Sequence, residues 1–294
     1  LREFFIGLGG VVFAHCYGGF LLLKQKPFDQ KSIALWQSAI PIREKFSAKQ
    51  ITRTPKLLIE ALKKGEAMGA ALMVAPEGTI NINQPLLSPA PIPLLAGGFR
   101  LAEGDQRSSI LVFEKNQTIS SNVLDKHRLV PLGEWVPNWG SNFQGLSALG
   151  GLKPGDESRL LFWGGPPFAG AICYELSDGH SVAQAISQGA TWILSIANLD
   201  PYPLILQKQF ISLAQLRSIE TGRDLVIAAN TGPTSLISSN GEIKKVMPPF
   251  VEGISIVEVN FHKGKTGYIQ HGEVPLLFLL IFGFIELYPL QSKN

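Results

Sequence analysis

The chain has 294 residues, enough for one large domain or two small ones. Charged residues make up only 17%, against about 25% in an ordinary soluble domain, and the mean hydropathy is +0.17. This excludes a disordered chain and points to a membrane contribution. The net charge is +3, with basic residues scattered rather than striped, so no nucleic-acid partner is expected. Two cysteines in unlike surroundings, Cys16 and Cys173, argue against a disulfide framework. Position 1 is Leu, and the expectation is a piece of a longer protein.

From Phe4 to Leu23 no Asp, Glu, Lys or Arg occurs, and Lys24, Lys26 and Lys31 follow. Such a run is long enough to cross roughly 30 Å of hydrocarbon as a helix, so residues 1–24 are expected to span a membrane. Arg2 alone makes a poor basic head for a signal peptide, and no small-residue cleavage site follows. At the other end, residues 274–290 read VPLLFLLIFGFIELYPL, a shorter candidate span interrupted by Glu286 and Pro289.

Between them short apolar runs alternate with helical segments. Strands are predicted at Ile33–Gln37, Ala71–Ala75, Leu94–Arg100, Ser109–Glu114, Thr118–Leu124, Phe168–Ile172, Trp192–Ala197, Leu225–Ala229, Thr234–Ser238 and Ile254–Val259. Asn240-Gly241 signals a hairpin. Helices are predicted at Pro55–Met68, His180–Gln188 and Leu204–Thr221, the last closed by Gly222. The alternation implies an α/β domain, expected over 32–262, with both sheet faces covered. The stretch from Asn138 to Gly155 is rich in Gly, Asn and Ser yet carries Trp139, Phe143, Leu146 and Leu149, the mark of a functional or mobile loop.

Cys173 directly follows the apolar run Phe168–Ile172, the strand end where α/β sheets commonly place reactive groups. It reads either as a buried inert thiol or as a nucleophile served by a nearby base. None of the five histidines lies in a recognisable Cys-His context. Glu77, after the apolar run and Pro76, and Lys126, after a strand-like run, each read singly as a solvated strand end. Together with Cys173 they form a chemical set: a carboxylate to take the thiol proton, and an ammonium to favour thiolate and then an oxyanion, helped by the N–H of Tyr174. The product is a thioester open to attack by an amine or water. No residues show metal-ligand spacing or a phosphate loop, and no cofactor is expected.

The order Pro76-Glu77, Lys126 with Leu129-Val130-Pro131 and Gly133-Glu134, then Ile172-Cys173-Tyr174-Glu175 resembles the nitrilase, or carbon–nitrogen hydrolase, superfamily. Arg217-Ser218-Ile219-Glu220-Thr221-Gly222-Arg223 and Ala229-Asn230-Thr231-Gly232 narrow the resemblance to the apolipoprotein N-acyltransferase family, bacterial membrane enzymes. The chain departs from that family's pattern at Ala75, Phe46 and Leu199, outside the triad. The resemblance implies an α-β-β-α sandwich flanked by transmembrane helices. It makes Glu77 the base, Lys126 the oxyanion-stabilising group and Cys173 the nucleophile, with Glu134, Tyr174 and Glu175 in support. It further implies a phospholipid acyl donor, a diacylglyceryl apolipoprotein acceptor, and a multi-pass protein of the cytoplasmic membrane with its catalytic domain on the extracytoplasmic side. The alternatives are a membrane-anchored amidase and an inactive chain that retains the fold.

Overall fold

The computed structural model describes residues 2–24, 26–45, 47–131, 133–135 and 151–291. In chain order its elements are α1 (Arg2–Lys24), β1 (Asp29–Gln37), α2 (Ile42–Lys45), α3 (Ala48–Ala67), β2 (Leu72–Ile80), β3 (Leu94–Ala102), β4 (Asp105–Phe113), β5 (Asn122–Asp125), β6 (Leu160–Leu161), β7 (Phe168–Ile172), α4 (Gly179–Ser187), β8 (Trp192–Ala197), α5 (Leu204–Thr221), β9 (Leu225–Ala229), β10 (Ser235–Ile237), β11 (Ile243–Val246), β12 (Gly253–Phe261), α6 (Gly267–His271) and α7 (Val274–Gln291). A single 3-10 turn, Cys173–Ser177, separates β7 from α4.

Period-2 side-chain alternation decides how these elements stack. On β1, Ile33 and Leu35 join the large core that also holds Leu194, Ile196, Val226 and Ala228 from the other sheet, so this face looks inward. Ala34 and Trp36, one residue out of phase, join Leu58 and Leu62 of α3 in a second core on the outer face. Val182 and Ile186 of α4 and Ala214 of α5 cover the far side of the second sheet. The result is the expected α-β-β-α sandwich.

The first sheet runs β12-β1-β2-β3-β4-β5 and the second β11-β10-β9-β8-β7-β6. At the centre of each, neighbours are parallel: β1–β2–β3 and β7–β8–β9. Strands buried on both faces are expected to be largely apolar, which is why Leu72–Ala75 reads as an unbroken apolar run and Trp192–Ala197 as one broken only by Ser195. In the second sheet, three strand C-termini therefore point the same way, and the chemistry gathers there.

Several predicted boundaries shift: β1 begins at Asp29 rather than Ile33, β2 runs on to Ile80 rather than ending at Ala75, and β4 begins at Asp105 rather than Ser109. The helix expected from Pro55 begins at Ala48, because the Ser47 side chain accepts from the Gln50 N–H and caps it, leaving Pro55 buried inside the helix. The strand expected over 118–124 pairs only from Asn122, where its partner Val112 becomes available. Both apolar ends are helical, but among the described residues no helix is long and apolar enough to cross a membrane. Large apolar side chains on these helices, including Val12 and Phe13 of α1 and Phe278, Leu279 and Phe284 of α7, nevertheless face outward unburied. Of the loop singled out at Asn138–Gly155, residues 138–150 lie outside the described residues.

Candidate active site

Glu77 owes its position to a break in the sheet. The register between β2 and β3 shifts between Ala75 and Ile80, around Pro76, which has no N–H to give, and Gly78, whose φ of +69° suits glycine. The bulge brings Glu77 against β3, and Gly97 makes this approach available, since a Cβ there would collide with the Glu77 Cα. Glu77 Oε2 accepts from the backbone N–H of Asn198 at 2.9 Å, just past the C-terminal end of β8. The Asn198 side chain is held in turn by Asn230 Nδ2 at 3.0 Å, past the end of β9.

Lys126, just past β5, is wholly buried, and its Nζ is shared between Glu134 Oε1 at 2.6 Å and Glu77 Oε1 at 3.4 Å. Burial alone would lower the lysine's pKa, but the charges of Glu77, Cys173 and Glu134 outweigh it and hold the ammonium firmly protonated. Glu134 also accepts from the Val130 N–H at 2.9 Å, closing the turn between the two residues. Burial pushes its carboxyl above the ordinary range, against the pull of Lys126.

Cys173 follows β7 at a φ of +52°, a left-handed conformation that few non-glycine residues hold. The sulfur lies within electrostatic reach of Glu77 and Glu134. Burial pushes its pKa up to about 12; Glu77 and Glu134 push the same way, while Lys126 and the Tyr174 N–H pull it down. The resting group is thus a thiol with a carboxylate and an ammonium at hand. Glu77, Lys126 and Glu134 are the charged groups that act on it, rather than a histidine.

Of the three residues expected in support, Glu134 sits at Lys126 and Tyr174 is half exposed next to Cys173. Glu175 has a different place: its carboxylate accepts from the N–H groups of Ile172, His127 and Arg128 and pairs with buried Arg159 at 2.9 Å. It fastens the Cys173 turn to the segment that carries Lys126.

Sequence reasoning missed Lys45. This lysine is almost fully buried, and its Nζ donates to the Glu77 carbonyl at 2.6 Å. Burial lowers its pKa to about 8, against the pull of Glu77 and Asp200. In the polar quartet Ile42–Lys45 nothing sets it apart from a solvated surface lysine. Arg159 gave no signal either.

Beside the sulfur opens a mostly apolar cavity of about 350 Å³, lined by Tyr174, Leu199, Tyr202, Leu206, Phe210 and Leu213 together with Cys173. Acyl transfer through a thioester is chemistry this arrangement can perform.

Apolipoprotein N-acyltransferases from two strains of Prochlorococcus marinus are 51% identical over all of this chain and 50% over 97% of it. The chain is a homologue of the apolipoprotein N-acyltransferases. It spans about 60% of the length of the curated relatives it matches, 60% and 58% of these two. No family model matches the chain. Among solved structures, Saccharomyces cerevisiae Nit3, a member of branch 10 of the nitrilase superfamily, aligns over 80% of this chain and 91% of its own at a TM-score of 0.61 and 15% identity. At that identity the likeness establishes the nitrilase fold alone.

Proposed function

We propose that this acyltransferase homologue moves an acyl chain from a membrane phospholipid to the free N-terminal amine of a diacylglyceryl apolipoprotein, with Glu77, Lys126 and Cys173 as its catalytic residues. The single observation that carries the proposal is the gathering of a carboxylate and a buried ammonium around a thiol that itself lines an apolar cavity. A soluble small amide has no use for such a cavity, whereas an acyl chain gains about 0.8 kcal/mol per CH₂ that it keeps out of water.

In the first half-reaction Glu77 takes the thiol proton as Cys173 Sγ attacks the donor's ester carbonyl. The oxyanion forms against the Lys126 ammonium and the Tyr174 N–H. Collapse breaks the ester C–O bond, and the departing lysophospholipid oxygen receives the proton from Glu77, leaving a thioester. In the second, the acceptor amine attacks the thioester carbonyl and gives its proton to Glu77; the thiolate leaves and is reprotonated as the amide forms. Glu134 keeps Lys126 in place through both steps, since it makes the shorter of the two ion pairs.

Residues 32–262 form the catalytic unit of this proposal. The helices over 1–24 and 274–290 attach it to the cytoplasmic membrane within a multi-pass protein, with the site on the extracytoplasmic side, where its acceptor is presented. The outward-facing apolar side chains of α1 and α7 support membrane contact, because soluble monomers seldom expose apolar patches of that extent.

Intact mass spectrometry of the chain after incubation with phospholipid vesicles tests this reading. A hydroxylamine-sensitive gain of one acyl chain, absent in Cys173→Ala, is the expected result. Ammonia release from small amides without any acyl adduct would instead indicate an amidase.

A further inference from the structure

A second cavity, of about 550 Å³, opens where both apolar helices meet the domain. Tyr17 and Lys26 bring the end of α1 to it, and Gln270 and His271 bring the segment entering α7. None of its lining residues is Asp or Glu, while Lys26, Arg223, Lys263 and Lys265 all are cationic. None of the acyl-transfer residues lines it.

Two features distinguish this place from a scatter of surface lysines. Arg223 is buried, and its guanidinium donates only to carbonyls, those of Ala190, Thr221, Gly222 and Gly264, so no carboxylate neutralises it. Burial lowers its pKa to about 10, which leaves it charged at neutral pH. His262 is also buried. Its Nε2 lies 3.3 Å from Asp224, while its Nδ1 is without a hydrogen-bond partner among the described residues. Asp224 itself is occupied by the N–H groups of Ser239 and Asn260.

We propose that this cavity binds the phosphate of an anionic membrane phospholipid and so seats the domain against the bilayer. The occupant follows from charge and position. An uncompensated cationic hollow asks for an anion, and the hollow adjoins the ends of two helices whose exposed side chains are apolar, at the level where headgroups meet water. A headgroup there would place the phosphate among Lys26, Lys263 and Lys265 while its chains run beside α1 and α7. The proposal rests on the membrane contact of α1 and α7 proposed above, and is independent of the acyl-transfer step.

The test uses the full chain carrying Cys173→Ala, so that covalent acylation makes no contribution, in mild-detergent micelles doped with phosphatidylglycerol or phosphatidylcholine. Native mass spectrometry reads the bound lipid. The expected result is preference for phosphatidylglycerol, an apparent affinity roughly tenfold lower in Lys263→Gln/Lys265→Gln, and near-unchanged binding in the charge-matched control Lys56→Gln/Lys63→Gln on α3. All four lysines are exposed, so both pairs should fold. Equal loss in the two pairs, or equal binding of the two lipids, overturns the proposal. Displacement of the lipid by inorganic phosphate at matched ionic strength also overturns it, making the cavity a site for soluble phosphate.

Discussion

The Glu175 carboxylate lies 2.6 Å from the backbone N–H of His127, and through that contact the residue two after Cys173 fixes the residue after Lys126. Arg159 completes the clamp, bonding both Glu175 and the carbonyl of Asp125. Neither partner of the pair sees solvent, so each depends on the other for compensation of its charge. Glu175→Gln leaves the guanidinium uncompensated and should cost about 3–5 kcal/mol of stability, as should Arg159→Met. The double variant should recover part of that loss, because no buried charge then remains unpaired. Urea unfolding of the four proteins measures the coupling; simple additivity would show that the pair does not act as a unit.

Glu77 faces the sulfur in a way that separates ionisation from activity. As a negative charge it contributes to the pKa of about 12 at Cys173, yet in the proposed mechanism it is the base that removes the proton during attack. In a Cys16→Ser background, alkylation of Cys173 by iodoacetamide should therefore keep climbing with pH through 8 to 10. Glu77→Gln removes one opposing charge and leaves Lys126, so alkylation at pH 8–9 should rise, by roughly tenfold for each pKa step of one. Acyl transfer by the same variant should fall by about a hundredfold or more. If alkylation slows along with acylation, Glu77 does not act on the thiol as described.

The apolar wall of the cavity sets a further expectation. Phe210 projects from α5 into the space beside Cys173, where Leu206 and Leu213 neighbour it at helical spacing. Phe210→Trp narrows that space without adding charge. The ratio of kcat/KM for a short-chain over a long-chain phospholipid donor should then rise about fivefold or more, within the range that one or two methylenes are worth in an apolar pocket. An unchanged ratio would place the acyl chain elsewhere.

What the sequence revealed and what it hid divide along one physical line. Strand cores such as Trp192–Ala197 and the helix Leu204–Thr221 with its Gly222 cap are local patterns, and they appear where the periodicity puts them. The grouping of Glu77, Lys126 and Cys173 was legible through the resemblance of the motifs around them, because the spacing carries no distance. The bulge at Pro76 depends on the pairing of β2 with β3 and the Glu175 clamp on a contact between residues 48 apart, so no short window of sequence contains both sides of either, and the +52° backbone at Cys173 has no local sequence signal. The strand-like run expected from Thr118 pairs with β4 only from Asn122, a limit set by the partner strand and not by the run itself.

Lys45 was the residue most completely hidden, and it makes the most distinct pH prediction. Its ammonium holds the Glu77 carbonyl from inside the protein, with Glu77 and Asp200 as the nearby acids. The folded pKa of about 8 lies below the ordinary 10.5, so between those values the unfolded chain binds more protons than the folded one. Stability must then rise as pH increases from 8 to 10.5, by about 3 kcal/mol at most for this group. Lys45→Met removes the titrating group, so the difference in unfolding free energy between the wild type and this variant should grow across that window in favour of the wild type. Below pH 8, where both states hold the proton, the difference should be flat. Loss of the contact also frees the backbone at Glu77, and kcat for acyl transfer should drop while KM for the donor stays near its original value. A pH-independent stability difference would mean that Lys45 keeps its charge in the fold and that the carbonyl contact alone accounts for its place beside Glu77.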